Sequence, residues 1–213
     1  VLVIYYPAFR GEWLWDDDFD VTKNQLLRSA AGLWKIWFQP TTLDYYPLKF
    51  SVQWLQWHLW GDAVLGYHLT NVCLHLLSAA LFWRVLEKLG VKLAWFGALL
   101  FAIHPLAVES VAWIAELKNC LALPPLLLAF DAWLDNEEQP RPSRYLLAAG
   151  WFLVSMLCKS SAVMFPCTLL LHAFMIRGRL GRADLFRAVP FFAISLGLGI
   201  VALWFQHNRA LQG

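Results

Sequence analysis

The chain contains six long apolar segments separated by short polar connections. They cover residues 63–89, 93–103, 106–134, 145–158, 162–176 and 188–206. Each is bounded by charged residues, proline or glycine, as helices are, and most approach the roughly 20 residues that a membrane-spanning helix needs. Only 15% of all residues are charged, against roughly 25% in soluble domains. The sequence therefore predicts an all-α integral membrane protein, folded as a multi-span helical bundle.

Lysine and arginine concentrate in three of the connections between these segments. The connections are 84–92, 135–144 and 177–187, and their basic residues are Arg84, Lys88, Lys92, Arg141, Arg144, Arg177, Arg179, Arg182 and Arg187. These connections alternate along the chain, so they face one side of the membrane, and basic loops mark the cytoplasmic side. Residues 10–62, 104–119 and 159–161 and the C-terminus are then expected to face outward.

The first outward loop is expected to contain two interfacial helices. The range 21–38 has an amphipathic pattern, and 48–60 carries Trp54, Trp57 and Trp60 at three-residue spacing. Helices rich in tryptophan typically lie at the lipid headgroups. We therefore predict one membrane domain over 1–213, part of a larger protein. In it, 1–9 is the end of a first span, 10–62 is the outward loop, and 63–206 forms about six membrane helices.

The strongest local signal is a run of acids in this loop. Asp16, Asp17, Asp18 and Asp20 lie within five residues, and such crowding raises some pKa values unless a cation or a donor compensates. One interpretation is a catalytic base, with no metal, or with a divalent ion held by Asp16 and Asp17. The alternative is a solvated acidic turn, because charge runs are usually solvated.

A second polar cluster lies in the segment 106–134 and just before it. Glu109, Trp113 and Glu116 have the spacing of one helical face, and His104 precedes them. Ionisable groups at membrane depth are costly and are therefore candidates for a function. The alternatives are a helix end for His104, and for Glu109 an ion pair with Lys118 or Lys159.

Two further groups of polar residues are expected on the same side. Lys159 follows an apolar segment, where it either holds a phosphate as a point charge or extends to the headgroups. His68, Asn71 and His75 share one helical face, for which hydrogen bonding between helices is the default explanation. Loop charges alone put the acidic run, Glu109, Glu116 and Lys159 on one side, which favours a shared site.

In their order along the chain, these motifs resemble those of a family of membrane glycosyltransferases. The motifs are Trp15-Asp16-Asp17 with Asn24, Tyr46-Pro47-Leu48, Leu59-Trp60-Gly61, Gly66-Tyr67-His68 with Asn71, His104-Pro105 with Glu109-Ser110 and Trp113, and Lys159. The family consists of bacterial proteins in which a multi-span region precedes tetratricopeptide repeats. It is related to the animal transmembrane and tetratricopeptide-repeat O-mannosyltransferases.

The resemblance implies a GT-C fold and a sugar donor carried on a polyprenyl phosphate. It implies inverting transfer to a hydroxyl of a protein or glycan, on the periplasmic side of a bacterial inner membrane. The implied residues are Asp16, Asp17 and Glu109 for catalysis, Lys159, Lys118 and His104 for the donor phosphate and lipid, and Asp18, His68, Asn71, Trp113, Glu116 and Asn119 for support. The bilayer, the donor and the acceptor are the expected partners. With a net charge of +2 and no basic aromatic groove, nucleic acid is not one.

One motif departs from the family. Bacterial relatives tend to read Glu-Arg-Lys-Asp where this chain has Glu116-Leu117-Lys118-Asn119. A non-catalytic membrane scaffold therefore stays an alternative. A second alternative is a transporter or flippase for a lipid-linked substrate, which would use the same polar face as a conduit.

Overall fold

The computed structural model describes residues 1–40 and 44–210, without the side chains of 209 and 210, and no β-strand occurs in these ranges. The α-helices are α1 (Ala30–Phe38), α2 (Pro47–Trp60), α3 (Val64–Lys88), α4 (Ala94–Ile103), α5 (Ala107–Ala112), α6 (Leu117–Glu138), α7 (Pro142–Cys158), α8 (Phe165–Arg177) and α9 (Arg182–Ala210). Short 3-10 helices cover Tyr6–Arg10, Gln25–Arg28, Ile114–Glu116 and Ser160–Met164, and a π-turn covers Asp18–Thr22.

Four stretches of the described chain are helical, long and apolar enough to cross a membrane. They are Val64–Lys88, Ile114–Glu138, Ser160–Arg177 and Arg182–Asn208. In the most apolar window of Arg182–Asn208 only 22% of the residues are buried, so most of its apolar surface needs a lipid environment. The predicted all-α membrane bundle is confirmed. The helix α4 is apolar but short, as its sequence predicts.

The bundle is held together by an aromatic core between α6, α7, α8 and α9. Phe152 and Phe165 stack with ring centroids 5.0 Å apart, and Trp133 meets Phe191 edge-on at 5.6 Å. Phe152 and Phe191 are completely buried. Aromatic pairs of this kind stabilise a fold by about 0.5–1.5 kcal/mol each beyond the burial of their area.

Ion pairs bring the three basic connections together at one end of the bundle. Lys88 contacts Asp131 and Asp135, each at 2.6 Å, and Arg84 contacts Asp131 at 2.9 Å. Glu137, two residues beyond Asp135 on α6, is paired with Arg177 and Arg187. The basic loops therefore lie together, as their alternation predicts. The compartment that they face stays a prediction.

The amphipathic range 21–38 is not one helix, contrary to the sequence prediction. The side chain of Asn24 accepts a hydrogen bond from Leu26 N at 3.0 Å, and Ser29 Oγ accepts one from Gly32 N at 3.1 Å. Each of these caps starts a new helix, so the α-helical part begins only at Ala30. The range 1–9 is also not an α-helical end, since it forms turns that lead into a 3-10 helix.

The second helix of the first loop is present and has its polar face turned inward. Lys49, Gln53 and Gln56 of α2 are buried, whereas Leu55 and Leu59 are exposed, Leu59 by 62%. A helix that faces water has the opposite arrangement. This pattern supports contact between α2 and lipid, as predicted for an interfacial helix.

Candidate active site

The apolar segment 106–134 is broken into two helices at Trp113. This residue is extended, with φ −89° and ψ 124°, between α5 and the short helix that precedes α6. Asn71 Nδ2 donates to Trp113 O at 3.0 Å, and Ala115 N donates to Asp17 Oδ1 at 2.7 Å. Asn71 and Asp17 thus hydrogen-bond to backbone groups that would be paired within the helix if it were continuous. The prediction that Glu109, Trp113 and Glu116 share one helical face is therefore wrong.

Asp17 fastens the acidic run to this break. Its side chain is 1% exposed, and its second oxygen, Oδ2, accepts a hydrogen bond from Leu14 N at 2.8 Å. Burial raises the pKa of Asp17 above its ordinary value of 3.8, while the hydrogen bonds from Leu14 and Ala115 act in the opposite direction. A solvated acidic turn, the alternative interpretation, does not describe this residue.

A polar cavity of about 470 Å³ lies between the acidic run, α2 and the start of α6. It is lined by Asp16, Phe19, Asp20, Lys23, Asn24, Gln25, Leu26, Asp44, Tyr46, Lys49, Phe50, Ala115 and Lys118. Asp16 is exposed, and within the described residues its carboxylate has neither an ion pair nor a hydrogen bond. Asp16 is therefore an acid in this cavity that is free to act on a ligand.

The backbone just before Asp16 is strained. Trp15 has a φ of 36°, in the left-handed region, and its ring meets that of Trp113 edge-on with centroids 5.5 Å apart. Such a conformation costs a residue other than glycine about 1–3 kcal/mol and persists where the surroundings impose it. The contacts at the helix break therefore fix the backbone before Asp16, and with it the direction of the Asp16 side chain.

The cavity contains an ion pair that the sequence prediction missed. Lys49 is 2% exposed, and its Nζ contacts Asp20 Oδ2. Burial lowers the pKa of Lys49, and the nearby carboxylate of Asp20 opposes this change. Asp20 was visible in the acidic run, but only the fold shows that Lys49 reaches it across 29 positions of the chain.

Four predicted residues form a hydrogen-bonded series at the start of α6. Lys118 Nζ contacts Glu116 Oε1 at 2.8 Å, and Asn119 Nδ2 donates to Glu116 Oε2 at 2.5 Å. Asn119 Oδ1 accepts a hydrogen bond from Lys159, and its Nδ2 also donates to Ser110 Oγ at 3.0 Å. Lys159 is thus linked to the polar cavity through this series and is not among the residues that line it.

A second, apolar cavity of about 360 Å³ lies on the other side of this series. It is lined by His75, Ser78, Phe101, His104, Leu106, Ala107, Ser110, Val111, Asn119, Cys120 and Leu123. The Nδ1 of His104 accepts a hydrogen bond from Leu106 N at 3.2 Å, so this ring also shapes the turn after α4. Asn119 and Ser110 line the apolar cavity. Through Glu116 they are hydrogen-bonded to Lys118, which lines the polar cavity.

The other predicted residues, Glu109, His68 and Asp18, line neither cavity. Glu109 is exposed and has no ion pair within the described part of the chain. The alternative for Glu109, an ion pair with Lys118 or Lys159, is not formed, because those lysines contact Glu116 and Asn119. His68 is buried. Asp18 contacts Lys23 and Thr22, which lowers its pKa.

The described residues include no group of three or more His, Cys, Asp or Glu side chains that could hold a metal ion. Among the acids expected for a metal, Asp17 already uses both oxygens to accept backbone N–H groups. Asp16 and Asp17 together therefore do not fit a two-carboxylate metal site.

The chain is similar to animal proteins named protein O-mannosyl-transferases. It is 33% identical over 179 residues to Tmtc1 of Drosophila melanogaster, a match that covers 76% of this chain and 20% of that protein. It is 31% identical over 149 residues to TMTC1 of Homo sapiens, covering 63% and 17%. It is 26% identical over 202 residues to Tmtc3 of Drosophila melanogaster, a match that covers 76% of this chain and 22% of that protein. The predicted resemblance is confirmed. The chain spans about a fifth of the length of these relatives.

No family model matches the chain, and no solved structure matches it. The motifs that suggested O-mannosyltransferase relatives nevertheless have a physical explanation. Gly61 turns the chain between α2 and α3 with a φ of 53°, and its carbonyl accepts a hydrogen bond from Tyr67 at 2.9 Å. Gly66 leaves room for the Trp60 ring. These motif residues build the corner that carries α2 to the cavity.

Proposed function

We propose that this chain is the membrane part of a glycosyltransferase of the inverting GT-C type, which mannosylates a protein or glycan hydroxyl. The donor is a sugar on a polyprenyl phosphate. Two observations support the proposal. The relatives are named protein O-mannosyl-transferases, and Asp16 presents a free carboxylate to a polar cavity.

In this mechanism Asp16 is the general base. The acceptor hydroxyl gives its proton to Asp16, and the oxygen attacks the anomeric carbon as the bond to the lipid phosphate breaks. The phosphate leaves with the electron pair of that bond, and the configuration at the anomeric carbon inverts. Of the three acids expected to catalyse, Glu109 does not line the polar cavity. Asp17 is better suited to hold the loop, because both its oxygens accept backbone hydrogen bonds.

The leaving phosphate needs positive charge close to it. Lys118 lines the polar cavity, and Lys159 contacts Asn119, which lines the apolar cavity. We assign the phosphate to the boundary between the two cavities. The first isoprene units would then occupy the apolar cavity, next to His104.

The same proposal gives the chain an orientation and a domain organisation. The end that carries Arg84, Lys88, Arg177 and Arg187 faces the cytoplasm, as basic loops do. The polar cavity, which lies by the opposite ends of α6 and α7, then faces outward, periplasmic in a bacterial inner membrane. The whole chain acts as one membrane domain, with α1 and α2 at the interface.

The deciding experiment compares two neighbouring acids in the full-length protein. Transfer of labelled mannose from undecaprenyl-phosphate mannose to membrane protein is measured for Asp16→Asn and for the control Asp18→Asn. Loss of a general base is expected to slow transfer by about 100-fold or more, with an unchanged Tm. Asp18→Asn should stay close to wild type, because Asp18 contacts Lys23 and Thr22. Unchanged transfer by Asp16→Asn would overturn the assignment.

Two control experiments distinguish the alternative functions. Movement of the labelled lipid across proteoliposome membranes without sugar transfer would identify a transporter. Failure to bind undecaprenyl-phosphate mannose at all would identify a scaffold.

A further inference from the structure

The most deeply buried charge in the wall of the polar cavity is the ammonium of Lys49. Its side chain is 2% exposed, whereas that of Asp20, its partner, is 22% exposed. The Nζ also lies 4.1 Å from the centroid of the Phe50 ring. Within the described residues Asp20 is the acid in ion-pair contact with it. A buried lysine in such a place depends on its partner, because an unpaired buried charge is strongly unfavourable.

Asp20 is in turn connected to Asp16 through the backbone. Asp20 N donates to Asp16 O at 2.9 Å, and Asn24 Nδ2 donates to Asp20 O at 3.1 Å. Asp16 and Asp20 are thus the two ends of one hydrogen-bonded turn. The first half of this turn is fastened to the start of α6 by Asp17, and the second half is fastened to α2 by Lys49.

Asp16 comes directly before these two attachments in the chain. Its side chain is unpaired within the described chain, and the residue before it has a strained backbone. Without the attachment to α2, the turn could relax about Asp17, and the Asp16 carboxylate would move within the cavity. A displacement of about 1 Å at a reacting group is enough to slow a reaction by roughly 100-fold.

We propose that Lys49 and Asp20 are positioning residues, which hold the Asp16 carboxylate in the polar cavity by fastening its turn to α2. The inference rests on the proposed function, because Asp16 is the group that is positioned. Neither residue needs to touch the substrate in this role. It also explains why α2 buries a charge in the protein and exposes leucines on its other face.

The test uses single and paired substitutions in the full-length protein. Lys49→Met is expected to lower kcat by about 100-fold, with KM for undecaprenyl-phosphate mannose within about twofold of wild type, since binding is not the function of the pair. Lys49→Arg keeps the charge and should restore most of the rate. The matched control is Lys35→Met, which removes an exposed lysine of α1 that lines neither cavity and should leave kcat unchanged.

A purely structural role is separated from positioning by a double variant. Lys49→Met with Asp20→Asn leaves no buried charge unpaired and removes the contact between the two side chains, so its Tm should stay close to wild type while the turn is no longer fastened to α2. Positioning predicts that this folded protein is still slow. Wild-type kcat in the double variant, with Asp16→Asn inactive, would overturn the inference alone. Full activity of Asp16→Asn would instead overturn the proposed function.

Discussion

Asp16 and Asp17 are neighbours in the chain, yet their carboxylates lie in opposite environments. Asp17 is buried and accepts two backbone hydrogen bonds, and Asp16 faces a polar cavity. The difference arises from Ala115, which lies 98 positions away from Asp17. At this scale a pair of acids can divide two tasks, one holding the loop and the other facing the ligand.

The substitution Asp17→Asn is expected to destabilise the protein. An amide can accept one of the two N–H hydrogen bonds but presents its own N–H group to the other donor. A buried donor without a partner costs about 1–3 kcal/mol of the free energy of unfolding, which a thermal melt in detergent would detect. Asp16→Asn is the matched control and should melt like the wild type. Equal melting of the two variants would contradict this division of tasks.

The same comparison has an expected dependence on pH. Because burial raises the pKa of Asp17 above 3.8, the folded protein holds this proton more tightly than the unfolded chain does. The contribution of Asp17 to stability is therefore complete below its ordinary pKa and declines as pH rises through the raised value. The Tm difference between wild type and Asp17→Asn should be larger at about pH 3 than at about pH 7.

At the scale of elements, the corner between α2 and α3 depends on a close approach. A Cβ on Gly66 would lie well inside 3.0 Å of the Trp60 ring, so Gly66→Ala must push this ring aside. Overpacking of this kind typically costs about 1–3 kcal/mol. The loss should appear as a lower Tm. Gly150→Ala is the control, since its Cβ would meet no described atom within 4 Å, and an equal loss there would refute the explanation.

The sequence predicted some elements well because their signals are local. The range 48–60 became Pro47–Trp60, and 93–103 became Ala94–Ile103. The prediction of one continuous helix failed for 21–38 and for 106–134, because side chains there hydrogen-bond to the backbone and interrupt the helix. In the first, Asn24 and Ser29 act as caps that local reasoning could have found. In the second, Asn71 lies 42 positions from Trp113, and periodicity carries no information about such a partner.

At the scale of the whole molecule, charge separates the two ends of the bundle. Loop charges were sufficient to group Arg84, Arg177 and Arg187 at one end. They could not reveal that Lys49 lies inside the other end, because a lysine in an interfacial helix usually extends to the headgroups. The site was therefore predictable as a region, and its central ion pair was not.

The orientation can be tested by cysteine labelling. In a background with Cys73 and Cys167 replaced by serine, Glu12→Cys and Ser143→Cys introduce exposed thiols near opposite ends of the bundle. If the basic end is cytoplasmic, a membrane-impermeant maleimide should label only Glu12→Cys in intact cells. Ser143→Cys should react after the membrane is opened. Labelling of both, or of Ser143→Cys alone, would rule out the orientation.

Asn119 donates both side-chain N–H groups and accepts one hydrogen bond at its oxygen in the series between the two cavities. Its oxygen faces an ammonium and its nitrogen faces a carboxylate and a hydroxyl. An aspartate at position 119 would bring two acids so close that they would have to share a proton or recruit another cation. Leu117, two positions earlier, is buried and apolar and supplies no such cation. The amide of Asn119 therefore separates the Glu116 carboxylate from the Lys159 ammonium without adding a charge of its own.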